Sequence, residues 1–158
     1  MRGGMKNNRV YVDTSVFGGM FDPEFERASK TFFEQIKEQR FSLVISPTVA
    51  DEISLAPENV KMFFEEMLAY ASMLTLNPEA TQLQKAYLNA GILSKKSEED
   101  ALHVALASVS ECSMIISWNF KHIVHFEKIP MYNAVNILNG YGPIIIFSPM
   151  EVIENEEF

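Results

Sequence analysis

The chain has 158 residues, 47 % of them hydrophobic, which is enough for one domain that buries roughly 70 % of the surface its unfolded form would expose. A formal net charge of -8 and a pI near 4.9 exclude a broad basic surface of the kind that binds nucleic acid by releasing counterions. Any contact with nucleic acid must then be local or assisted by a metal ion.

We expect neither an export signal nor a membrane span. The opening residues, MRGGMKNN, lack the apolar core of a signal peptide, and no apolar run reaches the length of a membrane span. The single cysteine, Cys112, lies among apolar residues, which favours a small core side chain over a reactive thiol. We therefore expect a cytoplasmic protein without a membrane partner, folded as one domain over 1–158 with flexible ends at 1–8 and 151–158.

Short apolar runs alternate along the chain with segments of helical period. Strands are predicted at 9–12, 41–46, 72–77 and 113–117, with a fifth at 144–147 or near Met131. Helices are predicted at 24–40, 48–56, 59–72 and 79–90, and a long one begins at Ser97. Strands that alternate with helices need right-handed crossovers, which build a parallel sheet covered on both faces. The pattern predicts an α/β protein with a central parallel sheet of four or five strands.

Asp13 stands where the first strand ends, in VYVDTSVFGG. Thr14, Ser15 and the Gly18-Gly19 pair favour a turn after it. Aspartate is among the best helix N-cap residues, so a cap would explain it without any function. The carboxyl ends of strands in an open α/β sheet are also where ligands bind, which makes Asp13 a candidate site residue as well.

Glu52 follows the second predicted strand, in SPTVADEIS. With Thr48 as N-cap, Asp51 would be the N3 partner of a capping box and would face away from the apolar stripe of the helix. Glu52 lies at the border of that stripe, where its carboxylate would be only partly solvated. It is either an ordinary boundary glutamate or a site residue.

Asp100 lies in the first turn of the long apolar helix, in KSEEDALHVALASV. Ser97 and Asp100 match the pattern S-x-x-D, so a capping box could explain the aspartate. Asp100 is also aligned with apolar residues on a helix that is apolar nearly all round, and an acid that points inward is costly without a cation. The pattern therefore leaves a structural and a functional interpretation open.

Asn119 follows the strand 113–117 on a turn, where asparagine is common. Asn119 becomes a candidate site residue because of its neighbours. A parallel sheet brings the strand ends near Asp13, Glu52, Asp100 and Asn119 to one edge. Carboxylate and amide oxygens, without His or Cys ligands, are typical of Mg²⁺ or Mn²⁺ sites. Such an ion can lower the pKa of a bound water and hold the oxygens of a phosphodiester during in-line displacement.

In these segments the chain resembles the PIN domain family, metal-dependent ribonucleases that include the VapC-type toxins of toxin–antitoxin pairs. VYVDTSV is similar to the family's opening strand and first acid. ISPTVADEI, EDALHVALA and IISWNFKHI are similar to the three segments that carry the other site residues. The four occur in order and at similar spacings over nearly the whole chain.

The resemblance implies a three-layer α/β/α fold and a Mg²⁺- or Mn²⁺-dependent endoribonuclease. Asp13 and Asp100 would hold the metal, and Glu52 would ligate it or act through water as a base. Asn119 would position a water or a second ion, although many members have aspartate there and an amide adds no negative charge. The supporting residues would be Ser15 and Ser117.

The resemblance also implies partners: an RNA substrate, an antitoxin protein and a second copy in a homodimer. For association, MFFEEMLAYASM offers an apolar face formed by Met62, Phe63, Met67 and Leu68. The nearest candidate cations for phosphates are Lys95, Lys96 and Lys121. The alternative is a catalytically degraded PIN domain that binds RNA or protein, for which Asn119 is the support.

Other site types have weaker support. A phosphoryl-transfer enzyme with an aspartyl nucleophile would need a second acid two residues after Asp13, where Ser15 stands. His122 and His125 have zinc-like spacing but no third ligand in view. His103, on the apolar helix, is predicted to be a hydrogen-bonded core histidine.

Overall fold

The computed structural model describes residues 8–153, so most of the predicted flexible ends at 1–8 and 151–158, namely 1–7 and 154–158, lies outside the described residues. Five strands form the sheet: β1 (Arg9–Val12), β2 (Ser42–Ile45), β3 (Ala71–Met73), β4 (Met114–Ile116) and β5 (Ile145–Phe147). The first four helices are α1 (Thr14–Gly19), α2 (Glu26–Lys37), α3 (Pro47–Ile53) and α4 (Glu58–Met67). The later ones are α5 (Pro78–Asn89), α6 (Glu98–Val109), α7 (Lys128–Leu138) and α8 (Pro149–Val152).

The sheet is parallel throughout, with the strand order β3-β2-β1-β4-β5 and helices flanking it. Tyr11 of β1 is in register with Val44 of β2 and with Ile115 of β4. The α/β class and the parallel sheet are therefore confirmed. The fifth strand is the one at 144–147, because Met131 lies within α7.

The centre of the sheet is buried on both faces, as expected for a strand between two parallel neighbours. In β1, Val10, Tyr11 and Val12 are all 0 % exposed, so consecutive side chains are buried although they point to opposite faces. The order of strands reverses between β1 and β4, since the chain leaves β3 at one edge of the sheet and returns beside β1. The loops that follow β1, β2 and β4 therefore lie at the carboxyl edge of adjacent strands, which positions the candidate site.

Both predicted capping boxes are wrong. The N-cap of α3 is Ser46, whose Oγ accepts from the Val49 N–H at 3.2 Å, and Pro47 occupies the first helical position, so Thr48 lies inside the helix. Ser97 is the N-cap residue of α6 but makes no side-chain capping bond. It ends a short 3₁₀ turn, Lys95–Ser97, and its backbone lacks the extended conformation that a capping side chain needs.

The predicted association face on α4 is also only partly available. Phe63 and Met67 are buried because they belong to the row of α4 that packs into the core, whereas Met62 and Leu68 are exposed. Within residues 8–153, no helix is both long and apolar enough to cross a membrane.

Candidate active site

Asp13 is nearly inaccessible, at 4 % exposure, and both of its carboxylate oxygens accept hydrogen bonds. Oδ1 accepts from the backbone N–H of Ser15 at 3.1 Å, which makes Asp13 the N-cap of α1, and from Ser15 Oγ at 2.6 Å. Oδ2 accepts from Ser117 Oγ at 2.8 Å. Burial raises the pKa of Asp13, while the positive charge of His103 and the bonds from Ser15 and Ser117 act in the opposite direction. The predicted cap is thus present, together with a second set of contacts that a cap does not require.

Two serines join the end of β1 to the end of β4. Ser15 Oγ accepts from the backbone N–H of Trp118 at 2.8 Å, and Ser117 Oγ accepts from the backbone N–H of Asn119 at 2.8 Å. Each serine therefore donates its hydroxyl proton to Asp13 and accepts from the chain that follows β4. Because hydroxyls both donate and accept, these side chains fix the buried carboxylate and the β4 loop in one arrangement.

Glu52, half-buried on α3, is held by donors from two other elements. Thr14 Oγ1 and His103 Nε2 both bond to its Oε1, the latter at 3.1 Å. Burial opposes its ionisation, but the hydrogen bonds from His103 and Thr14, the charge of His103 and a hydrogen bond with Glu99 lower the pKa of Glu52 to about 2. The same contact with Glu52 raises the pKa of Glu99. At neutral pH Glu52 is therefore a carboxylate, and its neighbour is the more readily protonated member of the pair.

His103 lies at the centre of this arrangement and is 2 % exposed. Its Nε2 faces Glu52, and its Nδ1 lies 2.7 Å from the hydroxyl of Tyr11, which in turn lies 2.8 Å from Ser46 Oγ. Burial would lower the pKa of His103, yet the hydrogen bond to Glu52 and the charges of nearby acids raise it. Those acids are Asp13, Glu52 and Asp100. The predicted core histidine is thus buried and hydrogen-bonded, and it also belongs to the site.

Asp100 and Asn119 are the remaining two candidate residues, and their side chains have different surroundings. Asp100 is half-buried, and its charge acts on His103, His122 and Tyr132. Asn119 uses its side-chain oxygen locally, accepting from the backbone N–H of Lys121 at 3.2 Å and of His122 at 2.9 Å. Its amide therefore stabilises the turn after β4.

Glu99, Thr14 and His103 contact the candidate residue Glu52, and the sequence analysis did not select them for the site. Glu99 lies in the first turn of α6, where an acid is common, but Glu99 and His103 are four residues apart and share one face of α6, which meets Glu52. That spacing is visible in the sequence. The position of Thr14 over Glu52 depends on how α1 leaves β1, which no local pattern reports.

The donor chemistry at this edge fits a hard divalent ion, because Asp13, Glu52, Glu99 and Asp100 supply only carboxylate oxygens. The contact between Glu52 and Glu99, which raises the pKa of Glu99, is also the kind of contact between two acids that a cation relieves. Within the part of the chain that the structure describes, no group of three His, Cys, Asp or Glu side chains is arranged to hold a metal ion.

The sequence matches no family model and no curated protein. Solved structures do share its fold. VapBC2 from Rickettsia felis, bound to a DNA fragment from its promoter, has a TM-score of 0.59 and 14 % identity over 88 % of this chain and 97 % of that chain. FitAcB from Neisseria gonorrhoeae has a TM-score of 0.55 and 11 % identity over 90 % of this chain and 99 % of that chain. Both are toxin–antitoxin complexes that contain PIN-domain toxins. At these identities the likeness concerns the fold, and the chain accordingly has a PIN-like fold.

Proposed function

We propose that this protein is a Mg²⁺- or Mn²⁺-dependent endoribonuclease of PIN type and the toxin of a toxin–antitoxin pair. The observation that carries the proposal is the position of His103, a single buried side chain on which Asp13, Glu52 and Asp100 all act electrostatically. Three acids from three separate segments therefore lie near enough to His103 for their charges to act on it, although within residues 8–153 no three such side chains are already arranged to hold an ion. The likeness to two toxin–antitoxin complexes supports the same class of protein.

Asp13, Glu52 and Asp100 would hold the ion, which when bound would supply a more acidic water and charge stabilisation for a phosphodiester. Ser15 and Ser117 keep the Asp13 carboxylate in place. Thr14 and His103 orient Glu52 and keep it ionised, so that it can ligate the ion or accept a proton from water.

The test is cleavage of a mixed set of single-stranded and looped RNAs, with Mn²⁺, with Mg²⁺ and with EDTA. We expect cleavage that needs the metal and that is lost in Asp100→Asn. The matched control is Asp51→Asn, because Asp51 is an exposed acid next to Glu52 on α3, and within residues 8–153 its side chain makes no hydrogen bond or ion pair with the candidate site residues. Metal-independent cleavage that survives Asp100→Asn would refute the proposal.

A second candidate function is RNA or protein binding by a PIN fold without activity, and the geometry of Asn119 favours it. The side-chain oxygen of Asn119 is satisfied by two backbone N–H groups, and the residue adds no negative charge. Binding of RNA in both EDTA and Mn²⁺ with no cleavage in either would select this function. Asn119→Asp gives a further check, since restoring the acid would then create activity that the wild type lacks.

The partner expected for a toxin is an antitoxin, and an apolar groove offers it a surface. The groove lies between α2 and α4 and has a volume of about 640 Å³. Its apolar wall includes Phe21 and Met62, which are 43 % and 62 % exposed, and its rim carries the Lys37–Glu66 ion pair. Sedimentation of the purified protein distinguishes a homodimer, an antitoxin complex and a monomer, and a monomer at tens of micromolar with no copurifying peptide would contradict the association.

A further inference from the structure

One exposed aromatic ring lies beside the acidic site. Phe120 follows Asn119 in the loop after β4, and its side chain is 49 % exposed. It contacts the edge of Trp118, with ring centroids 6.1 Å apart at 63°, and Phe25, with centroids 6.4 Å apart at 49°. About half of the residue is therefore open to solvent, so the fold itself leaves Phe120 partly uncovered.

The rings behind Phe120 are firmly packed. Trp118 stacks on Phe25 with centroids 4.2 Å apart, and its Nε1–H donates to Ser29 Oγ at 2.9 Å. Gly19 makes this packing possible, because a Cβ there would lie 2.7 Å from both Trp118 Nε1 and Ser29 Oγ. The base on which Phe120 rests is therefore fixed.

The loop that carries Phe120 is also held on its other side. The backbone oxygen of Asn119 accepts from the N–H groups of Ile123 and Val124, at 3.1 and 2.8 Å. The Tyr132 hydroxyl donates to the backbone oxygen of His122 at 2.6 Å. A ligand that meets a preorganised loop loses less free energy to ordering, which is the condition under which one exposed ring contributes measurable affinity.

Phe120 is close to the residues proposed to act on phosphate. The backbone N–H of Trp118 donates to Ser15 Oγ, and Ser15 Oγ donates to Asp13 Oδ1. Phe120 is only three residues beyond Ser117, which bonds to Asp13 directly, so its Cα lies within about 11 Å of that of Ser117. Phe120 is therefore carried by the same short loop that bonds to Asp13, and a nucleotide next to a phosphate held there would be its ligand.

A lysine stands next to the ring. Lys121 is exposed, and within residues 8–153 its ammonium group makes no ion pair. The pairing of an aromatic face with a neighbouring cation suits a nucleotide, which offers a base to the ring and a phosphate to the lysine. A net charge of -8 limits what phosphate contacts can contribute, so base stacking would carry much of the affinity here.

We propose that Phe120 is a stacking platform for one unpaired nucleobase of a single-stranded RNA at the acidic edge, with Lys121 on an adjacent phosphate. This inference rests on the proposed function, since it specifies the substrate of the same site. An unpaired base is required because a base within a duplex has its faces covered by its neighbours.

The test is binding of a labelled oligouridylate to the full chain in EDTA, where the proposed cleavage does not occur, measured by anisotropy. Quenching of Trp118, the single tryptophan of the chain, gives a second readout beside Phe120. Phe120→Leu should weaken binding about 5- to 150-fold, the range that a lost stacking contact gives. The matched control, Phe126→Leu, alters an aromatic side chain that is 80 % exposed and has no ring contact with Trp118 or Phe25, and it should bind like the wild type.

Two further binding measurements distinguish the contact with the base from the contact with the phosphate. An abasic strand of the same length should bind wild type and Phe120→Leu equally, because it has no base to stack. Lys121→Ala should reduce the slope of log affinity against log salt by about 0.7, the value for one phosphate contact on a single strand.

The failure of this inference is distinguishable from the failure of the proposed nuclease. Equal binding of oligouridylate by wild type and Phe120→Leu would overturn the platform even if cleavage is observed, and so would the absence of any binding by the wild type. Loss of binding in Phe120→Leu, in a protein that cleaves nothing with Mn²⁺, would support the platform and refute the nuclease. Melting curves for both phenylalanine variants confirm that each protein is folded.

Discussion

Ser117→Ala tests whether the site is built by the hydrogen bonds that join β1 to β4. The side chain of Ser117 is 0 % exposed and makes two bonds of 2.8 Å, donating to Asp13 Oδ2 and accepting from the Asn119 N–H. A bond to a charged group contributes about 1.5–3 kcal/mol, and an N–H left without a partner costs about 1–3 kcal/mol. Asn119 is only half-buried and can recover part of its loss from water, so we expect a net destabilisation of about 3 kcal/mol. For a domain of this size that lowers the Tm by about 6–12 °C.

The control for Ser117→Ala is Ser113→Ala, one residue before the same strand. Ser113 is exposed and donates to the backbone oxygen of Arg9 at 3.0 Å, so its loss should cost less than about 1 kcal/mol. Urea unfolding of both variants in EDTA measures the difference. The bond from Ser117 lowers the pKa of Asp13, so its removal raises that pKa further, and the destabilisation should be larger at pH 7 than at pH 4. Equal and small effects of the two substitutions would refute the argument that Ser117 organises the site.

Three further predictions follow from single contacts. Asp13→Asn keeps the cap of α1 but removes a buried negative charge, and burial raises the pKa of Asp13, so in EDTA at neutral pH the variant should melt above wild type. The rise in Tm on adding Mn²⁺ should disappear in this variant, and a full Mn²⁺ shift would mean that Asp13 holds no metal. His103 has a raised pKa in the folded state, so the stability it contributes is present below about pH 6.5 and is lost as the pH rises through the pKa of the folded protein. The Tm of wild type should therefore fall more over that pH range than the Tm of His103→Gln, and parallel curves of Tm against pH would contradict this. Gly19→Ala should lower the Tm and change the emission of Trp118, because the added Cβ would lie 2.7 Å from Trp118 Nε1, whereas Gly18→Ala, whose Cβ would meet nothing within 4 Å, should be neutral or stabilising by up to about 1 kcal/mol. Similar melting curves for the two variants would show that Trp118 is not held as described.

Periodicity predicted the fold because each strand is short, apolar and followed by a segment of helical period. The sequence cannot specify which strands are neighbours, since β4 pairs with β1 across about one hundred residues. The general rule that ligands bind at the carboxyl ends of parallel strands selected Asp13, Glu52 and Asp100 as candidates, and the charges of all three act on His103. Local cap chemistry was less dependable. Pro47 at the first helical position was the signal that the cap of α3 is Ser46.

The role of His103 could not be predicted from its helix alone. A histidine on an apolar helix face is compatible with any buried acceptor, and the sequence does not say that Glu52 of α3 and Tyr11 of β1 approach it from two sides. Those approaches depend on tertiary packing between elements about fifty and ninety residues away. The i, i+4 relation of Glu99 and His103 was the one local sign that the first turn of α6 carries more than capping charge.

The two carboxylate oxygens of Asp13 have different partners, and only one of them caps a helix. Oδ1 caps α1 through the Ser15 N–H, and an asparagine or serine could do the same. Oδ2 bonds to Ser117, at the end of another strand, and a cap has no need of that contact. The raised pKa of Asp13 shows that its burial is not fully compensated by these bonds and the charge of His103. A side chain retained for capping alone would not have to be charged, so the second oxygen and the buried charge together are what favour a cation-binding role for Asp13.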